Sequence, residues 1–334
     1  MSRNPLLVSA GTLLLDALAQ VTPEWLDANI PGRKGGSDTV DAETSAHILA
    51  LLKETYPVVF AAGGSAANTV SALASWGTGT RIIGMIGDDE PGVFCADSLR
   101  RSGADVSSVR RHAVLPTGRC ISMVTPDSER TMRTFLGASD KLMPEELTSA
   151  DFDGADFLLF EGYLLYHFDL SIRLFELAGR YGVPMGFDLA SFELVSKFRD
   201  RMPSLLRRCA VLFANREEAE ALFGPGSDDM LLERLADFAP AAVLKRGKDG
   251  ALIRMNGSVF RIAAEDADAV DTTGAGDLWQ AGFLYGYLRG QPPELCGRFG
   301  AAAAAELVRI PGARLPLETL NRLKEKFTTW EKKA

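Results

Sequence analysis

The sequence predicts an α/β fold built on a mostly parallel sheet, with a short antiparallel element added to it. Three observations carry this. From Asp156 onward, short apolar runs at 157–161, 184–188, 211–214 and 242–245 alternate with helix-like segments such as 170–181. That is βαβ organisation, which requires parallel strands joined by right-handed crossovers. Near the N-terminus, residues 6–15 form an almost unbroken apolar run with Gly11 and Thr12 inside it, as in a strand buried on both faces. Residues 114–137 break that rhythm: 120–125 and 130–136 are strand-like, and Pro126-Asp127-Ser128-Glu129 between them is a turn, which makes an antiparallel hairpin.

The chain's 334 residues suffice for one large domain with a sizeable core, or for two ordinary ones. An apolar fraction of 46% and a charged fraction of 24% are those of a soluble globular protein. A net charge of −8 argues against a nucleic-acid partner, which calls for a basic patch. It leaves room for a small anionic ligand, because backbone N–H groups hold phosphate without excess lysine. Cys95, Cys120, Cys209 and Cys296 are far apart, with no Cys-x-x-Cys pair and no ligand spacing to His47, His112 or His167. Four reduced thiols in a cytoplasmic protein is the simplest reading. The run at 6–15 followed by Ala17-Leu18-Ala19 has the outline of a signal peptide, but Asp16 falls between the run and the supposed cleavage site. A first strand ending in Asp16 is the better reading. No apolar stretch approaches the ~18–20 residues of a membrane span.

At the carboxyl end of that strand, Asp16 would stand where open α/β sheets bind ligands. It is either a partner for substrate hydroxyls or an ordinary strand-end residue. Residues 20–41 are polar, with Pro31-Gly32 and Gly35-Gly36 as breakers, and predict loop and short strand. Helical periodicity runs over 42–55, and 57–62 is a second apolar strand. In the following Gly63-Gly64-Ser65-Ala66-Ala67-Asn68, paired glycines let a ligand lie against the backbone. Asn68, one turn into the next helix, can offer a polyol both donor and acceptor. The plainer alternative is a tight strand-to-helix turn. A strand at 81–87 and a helix opened by Asp88-Asp89-Glu90-Pro91-Gly92 follow.

Later in the chain, Asn215-Arg216-Glu217-Glu218 has the form of a helix-capping box. Lys245-Arg246-Gly247-Lys248-Asp249-Gly250 leads into strands at 251–255 and 258–262, joined by Asn256-Gly257, the favoured type I′ pair. Helices are predicted at 278–289, 295–308 and 317–330. Before the first of these stands Val270-Asp271-Thr272-Thr273-Gly274-Ala275-Gly276-Asp277. A helix beginning there leaves the N–H groups of its first residues without intrahelical partners, a ready site for phosphate. A carboxylate beside a phosphate site makes sense where it takes a proton from an attacking hydroxyl. Alone, Asp277 could equally serve only to complement the helix dipole.

Asp271 to Asp277 closely matches the second signature of the ribokinase-like (PfkB) family of small-molecule kinases. Gly63-Gly64-x-x-x-Asn68, followed by the loose form Ile83-Gly84-x-x-Gly87-Asp88-Asp89-x-x-Gly92, resembles the first. The two stand about 200 residues apart in the family's order, and the resemblance covers roughly residues 6–315. It implies a three-layer α/β/α ribokinase-like fold with a central, mostly parallel sheet and a small β-sheet lid. The whole of 1–334 would be one kinase domain, with lid segments at approximately 17–42 and 114–138. The implied activity is ATP-dependent phosphoryl transfer to a hydroxymethyl group. Asp277 would be the catalytic base, and Gly274, Ala275 and Gly276 the anion hole. Asp16, Gly63, Gly64 and Asn68 would hold the acceptor, with Leu136 and Tyr163 as lid residues covering a purine. Asn215, Lys245, Gly247, Gly250 and Thr272 would bind ATP, and Glu218 would place Mg²⁺ through water. ATP and Mg²⁺ are the implied cofactors, with a monovalent cation as a further candidate.

Within the family the chain looks closest to adenosine kinases and their bacterial relatives. The features that carry this are Leu14-Leu15-Asp16, 133–138 and Phe160-Glu161-Gly162-Tyr163. It departs from them at Thr12, where adenosine kinases usually have Asn, and at Lys245, where many relatives have Thr. The expected acceptor is a nucleoside, most of all adenosine; the alternatives are a free sugar or a non-catalytic ligand-binding relative. A Rossmann dehydrogenase would need Gly-x-Gly-x-x-Gly after the first strand, and a P-loop NTPase Gly-x-x-x-x-Gly-Lys-Ser/Thr; neither occurs. The expected partners are small molecules, not nucleic acid or membrane. Oligomeric state is not readable.

Overall fold

The computed structural model describes residues 4–127 and 129–333; Ser128, in the turn expected at 126–129, is among those outside. The chain begins with β1 (Leu6–Ala10) and β2 (Leu14–Gln20), which belong to different sheets. The single strand expected over 6–15 is therefore two. The chain crosses between sheets at residues 11–13, and the reason is steric. A Cβ on Gly11 would lie 2.3 Å from Glu161 Oε2 and 2.4 Å from Ala66 Cβ. Apolarity could not mark the break, because β2 buries Leu14, Leu15, Ala17 and Ala19 as fully as β1 buries its own residues.

Next come α1 (Pro23–Asn29), β3 (Ser37–Thr39), α2 (Ala42–Thr55) and β4 (Val59–Gly63). The expected loop at 20–41 thus contains a two-turn helix. Thr22 caps it by accepting from Trp25 N at 3.2 Å, and Trp25 packs edge-on to Tyr56 at 5.4 Å. After α3 (Ser65–Ser75), β5 (Gly79–Gly87), α4 (Glu90–Ser102) and β6 (Val109–His112), the expected hairpin appears as β7 (Thr117–Val124) and β8 (Arg130–Gly137). The alternating region is β9 (Phe157–Glu161), α5 (Phe168–Arg180), β10 (Met185–Asp188), α6 (Phe192–Phe198), α7 (Met202–Leu206), β11 (Val211–Asn215), α8 (Arg216–Phe223), α9 (Asp228–Ala236) and β12 (Ala241–Lys245). Then β13 (Ala251–Met255) and β14 (Ser258–Ile262) turn at Asn256 and Gly257, both at positive φ (53° and 77°), as a type I′ turn requires. Helices α10 (Ala275–Tyr287), α11 (Pro293–Leu307) and α12 (Leu317–Glu331) close the fold.

The large sheet has nine strands in the order β14-β13-β12-β11-β10-β9-β1-β5-β6; β12 through β6 are parallel, and β13 and β14 are antiparallel. Its two faces are two separate cores. Leu7, Phe213 and Val243 point to one, shared with Trp76 at the end of α3 and with Phe283 and Phe299 of α10 and α11. Their neighbours Val8, Leu212 and Leu244 point to the other, shared with Leu174, Phe175 and Leu232 of α5 and α9. This is the three-layer arrangement, with strand alternation feeding both faces. The small sheet has the order β3-β8-β7-β2-β4. Ala17, Ala19, Ile121 and Met123 pack one of its faces under α1 and α2. No helix among the described residues is long and apolar enough to cross a membrane.

Candidate active site

The carboxyl ends of the parallel strands lie along one edge of the large sheet. Thr12 follows β1, Glu161 ends β9, Asp188 ends β10, Asn215 ends β11 and Lys245 ends β12. Open α/β sheets bind ligands at this edge. Glu161 is buried and fully engaged: it accepts from Thr12 Oγ1 at 2.9 Å and from Ala66 N at 2.8 Å. Lys245 Nζ lies 3.4 Å from Asp188 Oδ1, and both side chains are largely buried.

The Gly-Ala-Gly turn is shaped by Asp271. Its Oδ1 accepts from Thr273 N at 2.8 Å and Thr273 Oγ1 at 2.6 Å, and its Oδ2 accepts from Gly312 N at 2.8 Å. The chain then enters the left-handed region at Gly274 (φ 73°), where a Cβ would lie 2.7 Å from Ala313 Cβ. Helix α10 starts at the next residue. Ala275 N donates back to Thr272 O at 3.2 Å, so it is occupied by the turn. The N–H groups of Gly276 and Asp277 have no partner among the described residues and are the donors left for an anion. A Cβ on Gly276 would stand 3.4 Å from Lys245 Nζ, so the lysine ammonium flanks the same spot.

Asp277 faces the start of α3. Its Oδ1 accepts from Ser65 Oγ at 2.6 Å and its Oδ2 from Asn68 Nδ2 at 2.9 Å, while its carbonyl accepts from Thr69 Oγ1 at 3.2 Å. Two helix N-termini thus meet across one carboxylate. Gly64 (φ 104°) makes the turn into α3, and a Cβ on Gly63 would lie 2.1 Å from Asp16 Oδ2. The paired glycines therefore stand directly against Asp16. The structure sets Gly63 against Asp16 and Asn68 against Asp277, with Asp16 on small-sheet strand β2 rather than at the end of the first large-sheet strand. The Asp16 carboxylate has no hydrogen-bond partner among the described residues.

Burial dominates the protonation of this site. It pushes Asp277 up to about 6, against the hydrogen bonds from Ser65 and Asn68. The helix N-terminus favours the ionised form, and the sequence suggests that Asp277 should sit below the usual carboxylate range; desolvation outweighs that effect. Burial raises Asp16 to about 7 with the Arg314 charge opposing, and Glu161 to about 7 despite the Ala66 and Thr12 bonds. Lys245 moves above the ordinary lysine value: burial lowers it, but Asp188, Glu218 and Asp277 outweigh burial.

The sequence profile of the pfkB family of carbohydrate kinases matches residues 42–320. The chain belongs to this family. It is 31% identical over 252 residues to an uncharacterized sugar kinase of Archaeoglobus fulgidus, covering 72% of this chain and 96% of that one. Its fold superposes on a "probable sugar kinase" from Rhizobium etli with a TM-score of 0.88 and 30% identity, covering 98% of this chain and 99% of the other. The adenosine kinase of Sinorhizobium meliloti gives a TM-score of 0.87 at 29% identity, covering 97% of this chain and 100% of the other. The protein is an ATP-dependent kinase of a sugar or nucleoside.

In this pfkB kinase the remaining sequence candidates stand on several elements. Both oxygens of the buried Glu218 carboxylate are taken by Asn215, through N at 2.8 Å and Nδ2 at 2.7 Å, while Glu218 N donates to Asn215 Oδ1; the predicted capping box is present. Burial raises Glu218 to about 7, with Lys245 opposing. Gly247 (φ 57°) and Gly250 (φ 84°) shape the link to β13, and a Cβ on Gly250 would meet Ile262 O at 2.0 Å. Thr272 is exposed beside the turn. Leu136 lies in β8 of the small sheet. Tyr163 does not: it follows β9 in the large unit, so it is not a lid residue. Burial raises its phenol, and the charges of Glu161, Glu218 and Asp277 push the same way. No group of three His, Cys, Asp or Glu side chains among the described residues is set to hold a metal alone.

Four further residues belong to the site. Ser65 is inside a quoted motif but carries no signal beyond being small. Glu161 and Asp188 are acidic ends of apolar strands, a pattern that could have flagged them. Arg130, at the start of β8, donates to Thr273 Oγ1 and lies 3.7 Å from Asp271, so it latches the small sheet to the turn. Its place across 143 residues of chain has no sequence signature.

Proposed function

We propose that this kinase transfers the γ-phosphoryl group of ATP to the 5′-hydroxymethyl group of a nucleoside, with adenosine the first candidate. The observation that carries the chemistry is Asp277, aligned by Ser65 and Asn68, beside two free N–H groups and the Lys245 ammonium. The acceptor's hydroxymethyl group lies over Gly63 and Gly64, and the unpartnered Asp16 carboxylate accepts from its ring hydroxyls. Asp277 takes the hydroxyl proton as the new O–P bond forms and the bond to ADP breaks. The N–H groups of Gly276 and Asp277, with Lys245, neutralise charge on the transferred group. ATP lies along Asn215, Lys245, Gly247, Gly250 and Thr272. Mg²⁺, reached through water by Glu218, supplies charge neutralisation at the phosphates when bound. The chain works as one kinase domain, with the small sheet closing over the acceptor to exclude water.

A free sugar is the second reading. Thr12 favours it: its hydroxyl is spent on Glu161, where adenosine kinases usually carry Asn. An ADP-release assay with Mg-ATP against adenosine, other nucleosides, ribose and fructose separates the two. Turnover on adenosine supports the nucleoside reading, and turnover confined to a free sugar overturns it. ATP binding without turnover on any acceptor marks a non-catalytic relative.

A further inference from the structure

Between α3, α4 and residues 313–317 lies a cleft of about 260 Å³, whose lining includes Asn68, the donor to Asp277. Its lining includes Arg101, Arg314, Ser71, Ser98 and Ser102 and contains no acidic side chain. Arg314 Nη1 donates to Ser71 Oγ at 3.1 Å and to Ser98 Oγ at 3.2 Å. Each of those hydroxyls accepts from the guanidinium and keeps its own hydrogen for a second partner. Arg314 Nε and Nη2 are shielded from solvent and have no hydrogen-bond partner among the described residues. A guanidinium in that condition is under-satisfied, and the unmet partner must be an acceptor. Arg101 stands at the exposed mouth with no ion-pair partner among the described residues. Burial lowers Arg314 to about 10, with Asp16 and Cys95 opposing, so it stays charged at neutral pH.

We propose that this cleft binds a phosphate-type oxyanion, held by Arg314 and Arg101 with the Ser71 and Ser98 hydroxyls donating to it. Two guanidiniums and two free hydroxyl hydrogens, with no carboxylate among them, select an anion over a neutral polyol. Seating the anion turns Arg314 toward the cleft and engages its idle N–H groups. It also draws on the positive charge that now acts on Asp16, so occupancy is felt at that carboxyl group. The anion is either a free ion or the charged end of an acceptor that reaches past Asn68.

The test begins with calorimetric titration of inorganic phosphate into the protein saturated with Mg²⁺ and a non-hydrolysable ATP analogue, which blocks the turn at 274–277. Ionic strength is held constant with chloride. Wild type binds phosphate saturably. Arg314→Gln and Arg101→Gln each weaken binding at least tenfold, and matched thermal unfolding checks that both variants fold. Ser98→Ala weakens it less and serves as a second probe if Arg314→Gln does not fold. A second arm compares turnover of ribose 1-phosphate with that of ribose. A preference for the phosphorylated sugar that collapses at least tenfold in Arg314→Gln assigns the anion to the acceptor. Saturable phosphate binding without that preference assigns it to a free ion. The proposal is overturned if wild type shows neither, or if phosphate binding survives both arginine substitutions. Because the first arm needs no turnover, its failure is distinct from failure of the kinase reading.

Discussion

Replacing Asp277 by Asn keeps the shape of the side chain and removes only its basicity. The surroundings accept the change: the amide oxygen can take the Asn68 Nδ2 donor, now 2.9 Å from Oδ2, and the amide NH₂ can face Ser65 Oγ, which rotates to accept. Loss of a positioned general base costs about 10²- to 10⁴-fold, so kcat should fall at least about 10²-fold. With the carboxyl group at about 6, wild type is about 97% ionised at pH 7.5, and kcat/KM should fall on an acid limb near pH 6 that Asp277→Asn lacks. The stability change has the opposite sign. A carboxyl group raised by burial binds its proton more tightly in the folded state, so the ionised form burdens the fold above pH 6. That burden fades as pH drops through 6 toward the unfolded value of 3.8. Asp277→Asn should therefore melt at or above the wild-type temperature at pH 8, with the gap closing by pH 4–5. The assays are coupled ADP release from pH 5 to 9 at saturating ATP with the acceptor varied, which gives kcat and kcat/KM, and thermal unfolding over the same series. A folded variant within threefold of the wild-type rate refutes the base. A lower melting temperature at pH 8 refutes the claim that burial dominates this carboxylate.

Gly63→Ala pushes a methyl group to within 2.1 Å of where Asp16 Oδ2 now lies; acceptor KM should rise at least about tenfold with ATP affinity little changed, and an ATP defect instead would misplace the acceptor. Lys245→Ala removes the ammonium flanking Gly276 and should lower kcat by about tenfold or more; a change confined to thermal stability would make the lysine only a partner for Asp188. Arg130→Gln cuts the latch between small sheet and turn, so kcat/KM should fall about tenfold while acceptor-independent ATP hydrolysis rises relative to transfer; an unchanged ratio in a folded variant refutes the latch.

Much of the fold was legible because local chemistry and tertiary context agree. Phe157–Glu161 is apolar, short and flanked by turns, and it forms the expected strand. Asn215 and Glu218 specify a capping box within four residues, and Asn256-Gly257 a hairpin turn within two, so neither depends on distant chain. What failed was set by distant contacts. The break in 6–15 is imposed by Glu161 and Ala66, which press on Gly11 from elsewhere in the chain. The helix after Thr22 is held by a cap and by Trp25 against Tyr56, while its surrounding sequence is polar and broken by glycines. In the site, the two signatures located Asp277 and the glycines, because close backbone approach requires small residues. Arg130 escaped notice because a single arginine in a hairpin has many possible uses, and only the fold selects one.

The split of the first strand also explains why the two signatures must act together. Glu161 accepts from Thr12, in the crossover between the sheets, and from Ala66 N, at the start of α3. Helix α3 in turn presents Ser65 and Asn68 to Asp277 at the start of α10. One buried carboxyl group therefore connects the crossover that leads into β2, the strand of Asp16, to the helix that presents Ser65 and Asn68 to Asp277. Burial raises Glu161 to about 7 against these same hydrogen bonds from Ala66 and Thr12. Displacing the crossover would move Asp16 against Gly63 and would strain the Ala66 bond that fixes Ser65 and Asn68. On the proposed function, the carboxylate that would hold the acceptor's hydroxyls and the base that would deprotonate one of them are registered through one side chain.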